Sequence, residues 1–137
     1  MPTVDCSPSV GLGQIPAIEL VEHGAVISIV IRSFFGQEQV IFALIDSGSQ
    51  YTCIGDALAQ QLQLSAHDHW LIGSVANRQY VDVYLAEIEI PALGIRETTS
   101  VLGGLQSDEH RAILGRTQLR ECVLTYDGPR GTVKLSR

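Results

Sequence analysis

The run Phe42-Ala43-Leu44-Ile45 ends on Asp46, and Ser47-Gly48-Ser49 follows at once. That junction constrains the chain more than any other stretch. Consecutive apolar residues read as a buried strand, and a carboxylate at the end of such a strand is costly unless it is hydrogen-bonded or put to use. Ser47 and Ser49 bring hydroxyl donors, and Gly48 lets backbone approach closely. The sequence therefore builds a tight loop that holds Asp46 in a fixed pose. Asp, Ser and Gly are also common turn formers, so an ordinary Asx turn is the plain alternative for these residues taken alone.

The pattern extends beyond the turn, with Thr52 and Ile54 in place further on. Ala43 to Ile54 resembles the active-site loop of aspartic proteases, in which apolar residues lead into Asp, Thr or Ser, Gly, and Ala or Ser, with a Thr three residues on. A second segment, Ala112-Ile113-Leu114-Gly115-Arg116-Thr117-Gln118-Leu119, resembles the apolar-apolar-Gly-Arg stretch before the C-terminal helix of retroviral-type proteases. By these two segments the chain is identified as a member of the retropepsin-like aspartic proteases, nearest in pattern to single-domain cellular and bacterial members. At 137 residues it is one domain with room for a core. The remaining aspartates (Asp5, Asp56, Asp68, Asp82, Asp108 and Asp127) lack the Asp-Ser-Gly context. The resemblance implies a reaction that needs two facing aspartates, so a symmetric homodimer giving one Asp46 per chain is expected.

Composition narrows the partners. Hydrophobic residues at 45% and charged residues at 18% indicate a globular chain rather than a disordered one. A formal charge of −6 without a basic cluster argues against nucleic-acid binding. The apolar run from Ala25 to Ile31 is too short to span a bilayer. Residues 1–16 show neither a basic n-region nor an apolar h-region, so a cytoplasmic location is expected; a longer parent chain stays open. Cys6, Cys53 and Cys122 are odd in number and unpaired in spacing, and read as free thiols in a reducing compartment. No cofactor is expected. His67-Asp68-His69 has no further ligand cluster, so no metal is assigned. Gly11-Leu12-Gly13 and Gly103-Gly104 lack the strand–glycine–helix setting of a phosphate loop.

Along the chain, residues 1–16 hold three prolines without periodicity and read as an irregular N-terminal arm, with the protease-like domain at 17–137. Ile18 to Ile31 is rich in Val and Ile and reads as strand. A turn at Ser33–Gln37 and a strand from Gln39 to Ile45 follow. Gly55 to Leu64 reads as a short helix with Leu58 and Leu62 on one face. Trp70 to Val75 and Gln79 to Ile90 form a long hairpin around Val75-Ala76-Asn77-Arg78. Ile95 to Leu102 is a strand, and Arg116 to Cys122 a short helix. Val123–Tyr126 and Thr132–Leu135 form a closing hairpin. The fold class is mostly β: a closed, barrel-like domain with a hairpin arm and one or two short helices, matching what the resemblance implies.

The resemblance also assigns roles. Asp46 is the expected catalytic carboxylate, sharing a proton with its partner's equivalent and activating the water that attacks a peptide carbonyl of a polypeptide substrate. Ser47 is expected to reach toward the partner loop and Gly48 to lie under the substrate backbone. A hydroxyl at Ser49 is expected to favour the ionised pair. The hairpin takes the place of the flap, with Gln50, Ile72, Gly73 and Ser74 as substrate-facing residues. Retroviral flaps carry several glycines at the tip, and here Val75-Ala76-Asn77 stand there instead. Trp70 either covers the cleft or packs the hairpin base, and packing is the expected role. Thr52, Gly115 and Arg116 are structural. In retroviral enzymes that arginine pairs with an aspartate just after the loop; Gln50 stands there, so Arg116 is expected to use backbone carbonyls or another acid. Two other readings stay open: a protease-fold dimerisation or peptide-binding module with little turnover, and a latent enzyme activated by dimerisation.

Overall fold

Alternation of side chains sets the first hairpin. β2 (Val26–Arg32) turns Ile27, Ile29 and Ile31 inward, and β3 (Glu38–Ile45) buries Ile41 and Ala43 while Val40 and Phe42 face out. The turn between them is held by the Ser33 hydroxyl, which accepts the N–H groups of Phe35 at 3.3 Å and Gln37 at 3.1 Å. The computed structural model describes residues 2–7 and 15–137.

Six strands close into a barrel. Their order is β2, β3, β8 (Ala112–Leu114), β4 (Cys53–Ile54), β7 (Ile95–Leu102) and β6 (Asn77–Ile90), and β2 pairs with β6 to complete the ring. β6 is long enough to serve twice. Its second half lies in the barrel, and its first half, exposed from Asn77 to Tyr80, pairs with β5 (Ala66–Ser74) as a projecting hairpin. Ser74 pairs with Asn77, so Val75 and Ala76 alone connect the strands, a tighter turn than the sequence indicated. Helix α2 (Asp56–Gln61) buries Leu58, and Leu62 follows it into the same core. Ile29, Ile31, Ile54, Ile88, Ile90 and Leu114 fill the barrel around them.

The placement of β8 fixes the site. It lies between β3, to which it is parallel, and β4, to which it is antiparallel. β3 and β4 are consecutive in sequence, so the segment that joins them, residues 46–52, must cross over the end of β8.

A second sheet holds β1 (Thr3–Asp5), β10 (Thr132–Ser136) and β9 (Val123–Asp127) in that order, with β9 at its edge. Here the structure corrects the expected irregular arm. Val4 lies opposite Leu135, the Cys6 N–H bonds Val133 O at 2.8 Å, and Cys6 is fully buried in the main core. That burial pushes its thiol up to about 11. The Gly11-Leu12-Gly13 segment lies outside the described residues.

The strand expected over Ile18–Ile31 is also corrected. Residues Pro16–His23 form helix α1, and β2 begins only at Val26. Pro at the first turn, Glu19 near the N-terminus and His23 near the C-terminus all favour a helix. Gly24, at φ 70°, ends it and donates to Leu20 O at 3.0 Å. The Val and Ile content of 18–31 taken as a whole masked these signals. The third helix, α3 (Arg116–Leu119), is a single turn, shorter than expected. Among the described residues no helix is long and apolar enough to cross a membrane.

Candidate active site

Asp46 sits where β3 gives way to the crossing loop. Its N–H donates to Leu114 O of β8 at 3.0 Å, so the last rung of the β3–β8 ladder ends on this residue. The carboxylate then turns over the loop. Gly48 N–H donates to Asp46 Oδ1 at 2.9 Å, and Ser49 N–H to Asp46 O at 3.1 Å. A Cβ at Gly48 would stand 3.0 Å from that carboxylate oxygen, a tight contact that glycine avoids. Asp46 stays partly exposed, and Ser47 and Gly48 are exposed.

The loop is bolted to the segment after β8. Arg116 N–H donates to Ser49 O at 2.8 Å and Thr117 N–H to Gln50 O at 3.0 Å. The Arg116 guanidinium donates to Ser47 O at 2.8 Å. This is the backbone-carbonyl option, and it makes the acid missing at Gln50 unnecessary. Thr52 is fully buried, and its hydroxyl accepts Gly115 N–H at 3.1 Å and donates to Gln118 Oε1.

Gln118 was not legible as a site residue. It is fully buried, receives the hydroxyls of Thr52 and Thr117, and donates to Glu97 Oε1 at 3.0 Å. Arg120 bonds the same carboxylate at 2.6 Å and holds it below the usual carboxylate range. The only sequence signal is a polar residue two positions after Arg116, on the single helical turn that follows Gly115. Thr52→Val should therefore cost about 1–3 kcal/mol, because it strands the buried Gly115 N–H and leaves the Gln118 amide oxygen with the Thr117 hydroxyl as its remaining donor. A lowered urea midpoint at unchanged slope is the expected reading.

One expectation about side chains is revised and another is made specific. The Ser49 hydroxyl donates to Tyr51 O at 2.7 Å and lies 3.9 Å from Cys53 Sγ, so it serves the loop backbone rather than the Asp46 carboxylate. Trp70 packs, as expected, but on the loop itself: its ring centroid is 5.1 Å from that of Tyr51, with a tilt of 58°. Tyr51, Cys53, Trp70 and Ile72 join Val81, Val83 and Leu102 in a small apolar cluster separate from the main core. The hairpin is thereby coupled to the Asp46 loop at its base. Gly73 takes φ 110°, and a Cβ there would meet Asn77 O at 2.1 Å, so the glycine serves the hairpin's own turn. Ser74 stands at the tip by register, and Gln50 is exposed beside the loop.

The Cys53 thiol is pushed up, mainly by burial, which fits a packed neighbour and not a nucleophile. His69 pairs with Asp82 at 2.6 Å, and among the described residues no group of three or more His, Cys, Asp or Glu could hold a metal.

Asp46 and Ser47 open onto a groove of about 200 Å³ lined also by Gly24, Ala25, Ile45, Leu124, Tyr126 and Val133. Leu124 and Tyr126 come from β9, the edge of the second sheet. An oriented carboxylate thus borders an apolar hollow that one chain leaves open.

No protein-family model and no curated protein matches this sequence. Solved structures do match. The chain is similar to a retropepsin-like aspartic protease from Rickettsia conorii, with a TM-score of 0.51 and 15% identity over 81% of this chain and 93% of that one. It is similar to simian foamy virus protease, with a TM-score of 0.50 and 19% identity over 69% and 91% of the two chains. The retroviral protease-like domain of Ddi1 from Leishmania major gives 0.50 and 14% over 79% and 84%. The chain has a retropepsin-like fold. Within it, residues 46–52 cross over β8, and the projecting β5–β6 hairpin packs on the same loop through Trp70 and Tyr51.

Proposed function

We propose that this chain is an aspartic endopeptidase that works as a symmetric homodimer. The observation that carries the reading is Asp46 itself, fixed by Leu114 O and by Gly48 N–H yet open to a groove. A single carboxylate is a poor acid–base catalyst for peptide hydrolysis. Two in contact cannot both ionise cheaply, so one holds a proton and the other acts as base. The base takes a proton from a bound water as that water attacks the scissile carbonyl, and the acid donates to the carbonyl oxygen. An extended polypeptide lies between the pair and the β5–β6 hairpin, contacting Gly48 and the Ile72–Ser74 arm.

The second sheet supports the partner. β9 pairs only with β10 among the described strands, and Val123, Leu124 and Tyr126 are exposed along it. An apolar, unpaired strand edge beside the groove is a surface that a second copy would cover. Ser47 is exposed while Arg116 holds its carbonyl, which leaves its hydroxyl to reach the partner loop. Residues 17–137 form the catalytic unit, with β1 adding to its closing sheet. Three free thiols fit a reducing, cytoplasmic setting within the same reading.

Sedimentation across a concentration series, with cleavage of an unfolded protein followed in the same samples, tests the proposal. Specific activity should rise in step with the dimer fraction. A monomer that stays inactive at every concentration points to a latent form, and a stable dimer that binds unfolded protein without cutting it points to a binding module.

A further inference from the structure

Two segments fix the backbone around Asp46. On one side, α1 ends at His23, just before Gly24 and Ala25, which line the groove; Ala25 O accepts the N–H of Ile45 at 2.9 Å. On the other, the loop at 103–111 runs into β8, whose Leu114 O takes the Asp46 N–H. These segments meet where His23 Nδ1 stands 2.5 Å from Glu109 Oε1. The loop's other anchors lead away from α1. Gly104 N–H bonds Asp56 Oδ1 at 3.1 Å, Leu105 N–H bonds Ile54 O at 3.1 Å, and Arg111 bonds Gln61 Oε1 at 2.6 Å. The Ser107 hydroxyl accepts the N–H groups of Glu109 at 3.3 Å and His110 at 3.0 Å, shaping the turn that presents Glu109.

Three carboxylates stand around the His23 ring. His23 Nε2 faces Glu19 at 3.7 Å and Glu22 at 3.6 Å on its own helix, while Nδ1 faces Glu109 on the loop. The second Glu109 oxygen lies 3.8 Å from His110 Nε2. With a proton, the imidazolium binds three carboxylates together. Without it, Glu19, Glu22 and Glu109 converge on a neutral ring and repel one another.

We propose that His23 and Glu109 form a proton-controlled latch that holds the 103–111 loop against α1 beside Asp46 in acid and releases it as the pH rises. The effect on cleavage rests on the protease reading above; the latch itself does not. The bond to Glu109, then the charges of Glu109, Glu19 and Glu22, raise the His23 imidazole above its ordinary value. The sign follows from that direction. A group raised in the folded state contributes fully below the ordinary histidine value of about 6.5 and loses its contribution as pH rises through the raised value. The latch therefore closes under the acidic conditions in which two neighbouring carboxylates most readily share a proton. Because His23 and Glu109 are exposed, added salt weakens it.

Amide hydrogen exchange on the whole chain at about pH 5.5 and about pH 8.5, corrected for intrinsic rates, tests the latch. In the wild type, protection over 103–111 should fall about two- to fivefold between the two, while the β5–β6 hairpin changes less. In His23→Gln and in Glu109→Gln that pH dependence should vanish, and Glu109→Gln should lower the midpoint of the His23 ring followed by NMR. Two variants on opposite sides of the contact guard against one of them failing to fold. Loop protection that is equal at both pH values in the wild type, or that keeps its pH dependence in both variants, overturns the latch. With an unfolded protein as substrate, the wild-type KM should rise over the same window and the His23→Gln KM should stay flat, at similar kcat. Absence of cleavage in every sample removes the protease reading, and the exchange experiment still decides the latch.

Discussion

Asp46→Asn should leave folding and self-association intact and lower cleavage by roughly 10²–10⁴-fold, the loss expected when an acid–base group is removed. Asn keeps the size of Asp, and its side-chain oxygen can still accept the Gly48 N–H that the carboxylate accepts at 2.9 Å. The substitution therefore removes charge and proton transfer while preserving the loop. Mixing gives a sharper test than the single variant. If the active species is a symmetric dimer with one Asp46 from each chain, equal amounts of wild type and variant at fixed total concentration leave about a quarter of the dimers with both carboxylates. Activity should fall to about that fraction once chains exchange. A chain that acted alone would keep about half. The distinction needs only a rate assay, and it separates paired-aspartate chemistry from any mechanism confined to one chain. Unchanged proteolysis by the purified variant would sink the paired-aspartate mechanism outright.

What the sequence reveals and what it hides follow the same physical line. Contacts between near neighbours, or between segments of fixed relative position, are legible. Asp46, Gly48 and Thr52 lie within one tight loop that residue type and spacing set apart, and the Gly115-Arg116 segment that packs against it was singled out by the family resemblance. The longer barrel strands were legible from their Val- and Ile-rich apolar runs, while β4 and β8, two and three residues long, carry too little pattern to be read as strands. Helix α1 was not legible, since Ile18, Leu20 and Val21 suit a strand as well as a helix, and the tie is broken by Pro16, Glu19, His23 and Gly24. The strand at Thr3–Asp5 needed a partner more than a hundred residues away, which local pattern does not contain. Gln118 was hidden for a related reason. Its burial depends on Thr52 reaching it from one side and Glu97 from another, and a glutamine in isolation reads as solvent-facing. The Ser49 hydroxyl shows the opposite error, where a residue of the right type in the right place donates to Tyr51 O instead. Spacing predicts proximity, but a hydroxyl has three staggered directions, and the nearest backbone carbonyl took this one.

Gly115→Ala should be severely damaging for so small a substitution, costing about 3 kcal/mol and cleavage with it. The reason is space and not backbone angle. Gly115 has φ −93° and ψ −178°, which any residue adopts readily. A Cβ there, however, would stand 2.4 Å from the carbonyl carbon and oxygen of Tyr51 and 2.9 Å from Thr52 N. These are backbone atoms, so no rotamer change relieves the overlap. Moving them breaks what holds the crossing: the Gly115 N–H to the Thr52 hydroxyl at 3.1 Å, Arg116 N–H to Ser49 O at 2.8 Å, and Thr117 N–H to Gln50 O at 3.0 Å. Each of these ties the Asp46 loop to the end of β8, so the strain is delivered to the carboxylate and not only to the core. Urea unfolding measures the stability loss, with Gly128→Ala as the comparison, since a Cβ at Gly128 would meet only Tyr126 Cε1 at an ordinary 3.5 Å. A Gly115→Ala chain within about 0.5 kcal/mol of the wild type would mean that the two segments do not cross as closely as described. A chain that is destabilised but fully active would mean that the crossing holds the barrel together without setting the position of Asp46.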